Sequence, residues 1–300
     1  KAEPVDCQTV DAAHRPLTTK WWWQEQQKMA IVESACIIGL AQLPPSIYHP
    51  FQLDTFGLGK VLLEVAERGA ETCVVGIGGS ATNDGGFGMA KALGWRFENE
   101  AGEAITEWTD LDQLSLASAP SKRHLFEHLL IASDVENLLL GDKGASRIYG
   151  PQKGLRESDM EKSEACFRSL SQEVDALAGY EWRLEPGSGA AGGLGYGLMA
   201  FLGGKAESGF DLSPINGDQF YFTGYGWNAI NQTNDIIVGV ADTIGSIFST
   251  TFYGFESIDI GFDIIPALSG GRLICGETRP NGERYGALIH VYEPLYLDLL

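Results

Sequence analysis

Positive charge is scarce in this sequence. Its 300 residues hold 21 lysines and arginines against 40 aspartates and glutamates, a formal net charge of −19. Such a surface repels phosphate backbones, so no nucleic-acid partner is expected. Long apolar runs are missing too. None reaches the roughly 18 residues of a membrane span, and no signal-peptide pattern is visible. No membrane partner is therefore expected. The five cysteines (Cys7, Cys36, Cys73, Cys166 and Cys275) are odd in number and include no C-x-x-C pair. That argues against a zinc cluster or a disulfide framework and suits a cytoplasmic protein.

Glycine is what the chain has in excess, 38 residues, more than a tenth of the whole, against an average of about 7%. The surplus is clustered, which calls for tight turns or close backbone approach.

Several elements are legible. Trp21-Trp22-Trp23 reads as one strand with aromatics facing both ways. The apolar run Ile31–Leu43 stops at Pro44-Pro45. Gly59–Arg68 has helical spacing, and Thr72–Ile77 is a short β-branched run of the kind buried in parallel sheets. Helix, strand, glycine loop, then helix-like Gly88–Leu93 is α/β grammar. Lys122–His128 reads as a helix end before the strand Leu129–Ala132. His124 and His128 share a face there, but with no third ligand nearby they read as ordinary surface histidines. Ser158–Ala178 is the clearest helix, with Ser158 and Glu161 as an expected capping box. Phe167, Leu170, Val174 and Leu177 form its apolar stripe. After Ser213 lysine disappears, and Asp235–Val240, Gly245–Tyr253 and Arg272–Cys275 read as strands or short elements.

Three stretches carry chemistry. Gly76–Gly86 follows the buried strand and precedes a helix, where open α/β sheets place ligands. Gly78, Gly79 and Gly85 let the backbone approach a phosphate. Ser80, Thr82 and Asn83 can donate to it, and Asp84 can hold Mg²⁺ or accept a proton. In Gly150-Pro151-Gln152-Lys153-Gly154 the lysine can meet a phosphate as a point charge, though alone it reads more readily as an ordinary solvated turn lysine. In the third, Gly189, Gly192 and Gly193 stand ahead of the run Leu198–Leu202. They suit either an anion-binding helix start or close helix–sheet packing.

Together, Gly78-Gly79-Ser80-Ala81-Thr82-Asn83-Asp84-Gly85-Gly86, Gly150–Gly154 and Gly189–Gly195 resemble the signature segments of the bacterial glycerate kinase family, in the same order. Gly57-x-Gly59, expected before the first helix, and Phe201-Leu202-Gly203, after the third stretch, agree as flanks. The resemblance covers about residues 54–212. It implies a two-lobed α/β kinase with Rossmann-like elements, moving the γ-phosphoryl of ATP to D-glycerate with Mg²⁺. It implies Asp84 and Lys153 as catalytic residues. Gly78, Gly79, Ser80, Thr82, Asn83, Gly85, Gln152, Gly189, Gly192 and Gly193 would bind substrate or phosphate. Asp84 and Asp134 would be metal ligands, Asp134 because Ser133–Asn137 resembles a further family segment. A homodimer is one assembly this allows.

The ends depart from the family. Residues 1–53 read as a partial N-terminal segment, since the family's opening strand and its early acidic segments have no counterpart here. Residues 213–300 read as a divergent part completing or replacing the second lobe, so that lobe is expected to be incomplete. The family's Thr-Gly-Glu-Gly segment has Thr223-Gly224-Tyr225-Gly226 as its nearest match, with Tyr225 and Asn228 where carboxylates stand. The rival expectation is an impaired relative that binds an anion without turnover.

Overall fold

A computed structural model describes residues 2–44, 47–133 and 135–206 in full. Residue 207 and six strands between residues 219 and 291 are described by backbone alone. Two compact units result, residues 1–209 and 210–300.

The first unit is built on a six-stranded sheet. β1 (Glu3–Val10) and β2 (Pro16–Gln24) form an antiparallel hairpin. Asp11 closes its turn, accepting through Oδ1 from the amides of Ala13 and Arg15 at 2.9 and 3.0 Å. The Trp triplet alternates as expected: Trp21 and Trp23 are buried, and Trp22 faces the other side. β3 (Met29–Glu33) pairs antiparallel with β2 and parallel with β4 (Thr72–Gly76). β7 (His128–Ala132) and β8 (Lys205–Glu207) continue the parallel half, in the order β1-β2-β3-β4-β7-β8. Residues 1–53 are thus not a segment apart. Their three strands complete the sheet that carries the first glycine loop.

Helices fill the crossovers: α1 (Ala35–Ile38), α2 (Phe56–Glu67), α3 (Phe87–Ala92), α4 (Ala145–Lys153), α5 (Glu157–Ala178) and α6 (Ala190–Leu202). A two-stranded ribbon, β5 (Arg96–Asn99) with β6 (Leu114–Ser118), lies between α3 and β7. The core is apolar and aromatic, with Trp21, Trp108, Phe87, Phe97, Phe167 and Phe201 among its largest buried side chains.

Three expectations are corrected. Gly57 and Gly59 lie inside α2 and not before it. A Cβ on Gly57 would stand 1.9 Å from the Val10 carbonyl oxygen, and one on Gly59 2.7 Å from Ala92 Cβ. Glycine here lets the helix press onto β1 and α3. Residues 122–127 are irregular, so His124 and His128 share no helix face. His124 packs by the chain at Leu202 and Gly203, and His128 opens β7. On α5 the cap is not Ser158. The helix begins at Glu157, and the Asp159 carboxylate accepts from the Arg156 amide at 2.8 Å. Arginine offers no acceptor in return, so only half of a capping box forms. Leu177 is exposed, and Met160, Cys166, Phe167, Leu170 and Val174 make the buried stripe.

The described strands of the second unit pair antiparallel. β9 (Gln219–Asn228), β10 (Thr233–Asp242) and β11 (Ile247–Tyr253) form one meander; β12 (Ile258–Pro266), β13 (Arg272–Arg279) and β14 (Tyr285–Val291) form another. Of the three expected segments, Asp235–Val240 falls in β10, Arg272–Cys275 in β13 and residues 247–253 of the second in β11, while residues 245 and 246 lie outside the described residues. Thr223–Gly226 and Asn228 lie within β9, where Tyr225 pairs with Ile236.

Candidate active site

The carboxyl ends of β3, β4 and β7 align, with Glu33 opposite Gly76 and Gly76 opposite Ala132. Ligands in open α/β sheets sit outside this edge. The loop from Gly76 to Gly86 leaves it and leads into α3. Its first bend is open: Gly78 and Gly79 are exposed, and a Cβ on Gly78 would meet nothing within 4 Å. The rest turns inward. Ser80, Thr82, Asn83 and Asp84 are all buried.

The buried residues hold one another. The Ser80 and Thr82 hydroxyls lie 3.0 Å apart, and Ser80 Oγ donates to the Ala191 carbonyl at 3.4 Å. Asn83 Nδ2 donates to Ser146 Oγ on α4 at 3.2 Å, while Asn83 Oδ1 has no hydrogen-bond partner among the described residues. Asp84 Oδ2 accepts from the Thr55 amide (2.9 Å), the Thr55 hydroxyl (2.8 Å) and the Gly88 amide (2.9 Å). Its Oδ1 faces the Gly86 amide at 3.3 Å. Burial, then the nearby Asp54, pushes the Asp84 carboxyl up to about 6, and the donors from Gly88 and Thr55 pull against that.

Lys153 ends α4 and is buried, not a solvated turn residue. Its Nζ donates to the Thr82 carbonyl at 2.6 Å. Burial brings its ammonium down to about 7, and the Asp84 charge opposes the shift. Helix geometry explains why lysine and not its neighbour enters: adjacent residues on a helix do not share a face, and Gln152 is exposed. Gln152 is therefore not brought to the loop.

The third glycine stretch packs against the first. Ala191, Gly192 and Gly193 all have left-handed φ, at 55°, 74° and 81°. This run breaks the regular helix start that sequence spacing suggested, so its amides do not converge as a simple helix N-terminus would present them. The Gly85 amide donates to the Gly192 carbonyl at 3.1 Å. A Cβ on Gly192 would fall 2.1 Å from the Thr82 carbonyl oxygen and 2.8 Å from Lys153 Nζ; one on Gly193 would fall 2.9 Å from Gly85 Cα. Glycine at these two positions serves close approach. Gly189 packs elsewhere, 2.2 Å from the Leu138 carbonyl oxygen by the same measure.

The structure thus gathers Gly78, Gly79, Ser80, Thr82, Asn83, Asp84, Gly85, Lys153, Gly192 and Gly193, and leaves out Gln152 and Gly189. Asp134 lies outside the described residues. Sequence reading missed Thr55, Ser146 and Glu33. Only Glu33 left a signal, as the single charge ending the apolar strand Met29–Glu33. Among the described residues no group of three or more His, Cys, Asp or Glu side chains could hold a metal ion. No helix among them is long and apolar enough to cross a membrane.

These features define a class: an α/β protein with a glycine-rich loop, a buried lysine and an open glycine turn at its parallel strand ends. Its relatives narrow the class. The glycerate kinase family model matches residues 1–213. Glycerate kinase of Halalkalibacterium halodurans is 31% identical over 81% of this chain and 70% of that protein. Glycerate 2-kinase of Escherichia coli K12 is 35% identical over 65% of this chain and 52% of its own length. A crystal structure of a Salmonella typhimurium LT2 protein described as glycerate kinase 2 superposes with a TM-score of 0.67 at 29% identity. That match covers 70% of this chain and 57% of the Salmonella chain. The chain belongs to the glycerate kinase family, and it spans about half the length of the Escherichia coli relative.

Proposed function

We propose that the protein phosphorylates D-glycerate, using ATP and Mg²⁺. The observation that carries this is Lys153, a buried ammonium that donates to the Thr82 carbonyl oxygen, at the loop that opens at Gly78-Gly79. A desolvated cation of this kind gains most when an anion completes it, because charges attract strongly away from water. Phosphoryl transfer asks for little beyond positioning and neutralisation of spreading charge. In this reading Lys153 faces the transferred phosphoryl group, and the exposed amides of Gly78 and Gly79 hold phosphate or the glycerate carboxylate. ATP supplies the phosphoryl group.

Mg²⁺ is normally held by one or two carboxylates, with phosphates and water completing its shell. Asp84 as it stands does not fit as a direct ligand, since its oxygens already face four donors. Asp84 is instead a positioning residue that fixes the loop to Thr55 and α3. The remaining expectations, a cytoplasmic location and a homodimer, accompany this reading.

The test is release of ADP from ATP in a coupled assay with D-glycerate, together with calorimetry of each ligand. Turnover dependent on D-glycerate is the expected result. Binding of ATP and glycerate without turnover would replace this reading with that of an anion-binding relative.

A further inference from the structure

A kinase acting on a hydroxyl benefits from a group that takes the hydroxyl proton. The carboxylate singled out in the glycine signature, Asp84, is fully buried and engaged by Thr55, Gly86 and Gly88. Another carboxylate stands at the same edge. Glu33 ends β3 directly opposite Gly76, the residue from which the loop departs. It is half-buried, not sealed off. A Cβ on Gly76 would lie 2.6 Å from Glu33 Oε2, so the carboxylate reaches across the end of β4 towards the foot of the loop. Glu33 Oε1 faces the Ala35 amide at 3.4 Å, which leans it over the same edge.

The segment after Glu33 is tied to the loop along its length. The Ser34 amide donates to the Gly76 carbonyl at 2.9 Å, the Leu40 amide to Gly79 at 2.9 Å, and the Ala81 amide to Ile38 at 2.8 Å. Glu33 and the exposed Gly78-Gly79 turn therefore share one rigid frame. Next to Glu33, the fully buried Ser34 hydroxyl has no hydrogen-bond partner among the described residues. An unpaired buried hydroxyl calls for a further polar group at this strand end.

We infer that Glu33, and not Asp84, is the carboxylate that receives the proton of the reacting substrate hydroxyl. The inference rests on the glycerate kinase reading above. In the step, the hydroxyl oxygen of the hydroxy acid bonds to the γ-phosphorus of ATP, and the bond from that phosphorus to the β,γ-bridging oxygen breaks. ADP leaves with that electron pair, and the hydroxyl proton passes to the Glu33 carboxylate. Gly76 is glycine because any side chain there would displace the base.

The experiment compares the unchanged chain with Glu33→Gln, Glu33→Asp and Gly76→Ala in the coupled ADP assay, with melting curves and glycerate calorimetry for each. Expected for Glu33→Gln is a fall in kcat of about 100-fold or more, the usual contribution of a positioned base. The KM for ATP and the affinity for glycerate should stay within about threefold, because the amide keeps the shape and an acceptor. Glu33→Asp should restore part of the rate, and Gly76→Ala should lower kcat while still melting cooperatively. If Glu33→Gln keeps kcat within threefold while the unchanged chain turns over, Glu33 is not the base, and the kinase reading survives without it. No turnover by the unchanged chain overturns the kinase reading and this assignment together. Should Glu33→Gln fail to melt cooperatively, Gly76→Ala decides: full kcat there overturns the inference.

Discussion

Lys153 places an ammonium where water does not reach, and its protonation shows the cost. Its folded value of about 7 lies below the ordinary lysine value of about 10.4. Between those limits the unfolded chain binds more protons, so its contribution to stability rises with pH across that window. Asp84 runs the other way. Its folded value of about 6 lies above the ordinary carboxylate value of about 4. Its contribution is present in acid and is lost as pH rises through 6. At neutral pH both groups therefore cost stability, as expected where a site is organised for binding more than for folding. Lys153→Met is expected to stabilise the ligand-free protein at pH 7 by about 1–4 kcal/mol, the range seen when buried charge is replaced by apolar bulk. The gain should shrink towards pH 10, and glycerate-dependent turnover should fall at least about 100-fold. Melting curves at pH 7 and pH 10 check this. A lower melting temperature at pH 7 would mean that the bond to Thr82 outweighs the desolvation.

The α5 helix shows how local rules misplace a cap by two residues. Ser158 with Glu161 matches the capping pattern, and so does Asp159 with the preceding amide. The competition is settled by His49, whose Nε2 lies 3.2 Å from Asp159 Oδ2. That contact draws Asp159 to the helix end and leaves Ser158 in the first turn, exposed. Asp159→Ala is expected to cost about 1 kcal/mol, and Ser158→Ala less than about 0.5 kcal/mol. Urea titrations of the two variants distinguish them, and equal losses would restore Ser158 as the cap. At the same scale, the third glycine stretch read as well for packing as for anion binding. Packing prevailed at Gly192 and Gly193 because the neighbouring Thr82 carbonyl and Gly85 leave no room for a Cβ. That crowding comes from a segment about 110 residues away in sequence, so no local pattern could reveal it.

Across the molecule, residues 1–209 hold the mixed sheet, its helices and the described residues gathered at the candidate site, while the described strands of residues 210–300 are antiparallel and fall in a second compact unit. Residues 1–209 produced alone are expected to melt cooperatively, within a few degrees of the corresponding transition in the full chain. A fragment that stays unfolded, by circular dichroism and hydrogen exchange, would show that the antiparallel unit is needed to stabilise the first.

From sequence alone came the α/β order, the buried strand Thr72–Gly76, the glycine loop after it and the family resemblance. These depend on periodicity and on residues a few positions apart, which one chain displays directly. The tertiary structure alone decided that Lys153 is buried and Gln152 is not, that residues 1–53 complete the sheet, that Asp84 serves the loop, and that Glu33 stands at the same edge. Each of these depends on which segments lie side by side. Parallel pairing sets Glu33 beside Gly76, 43 positions further along the chain, and only the packed sheet brings their chemistry together.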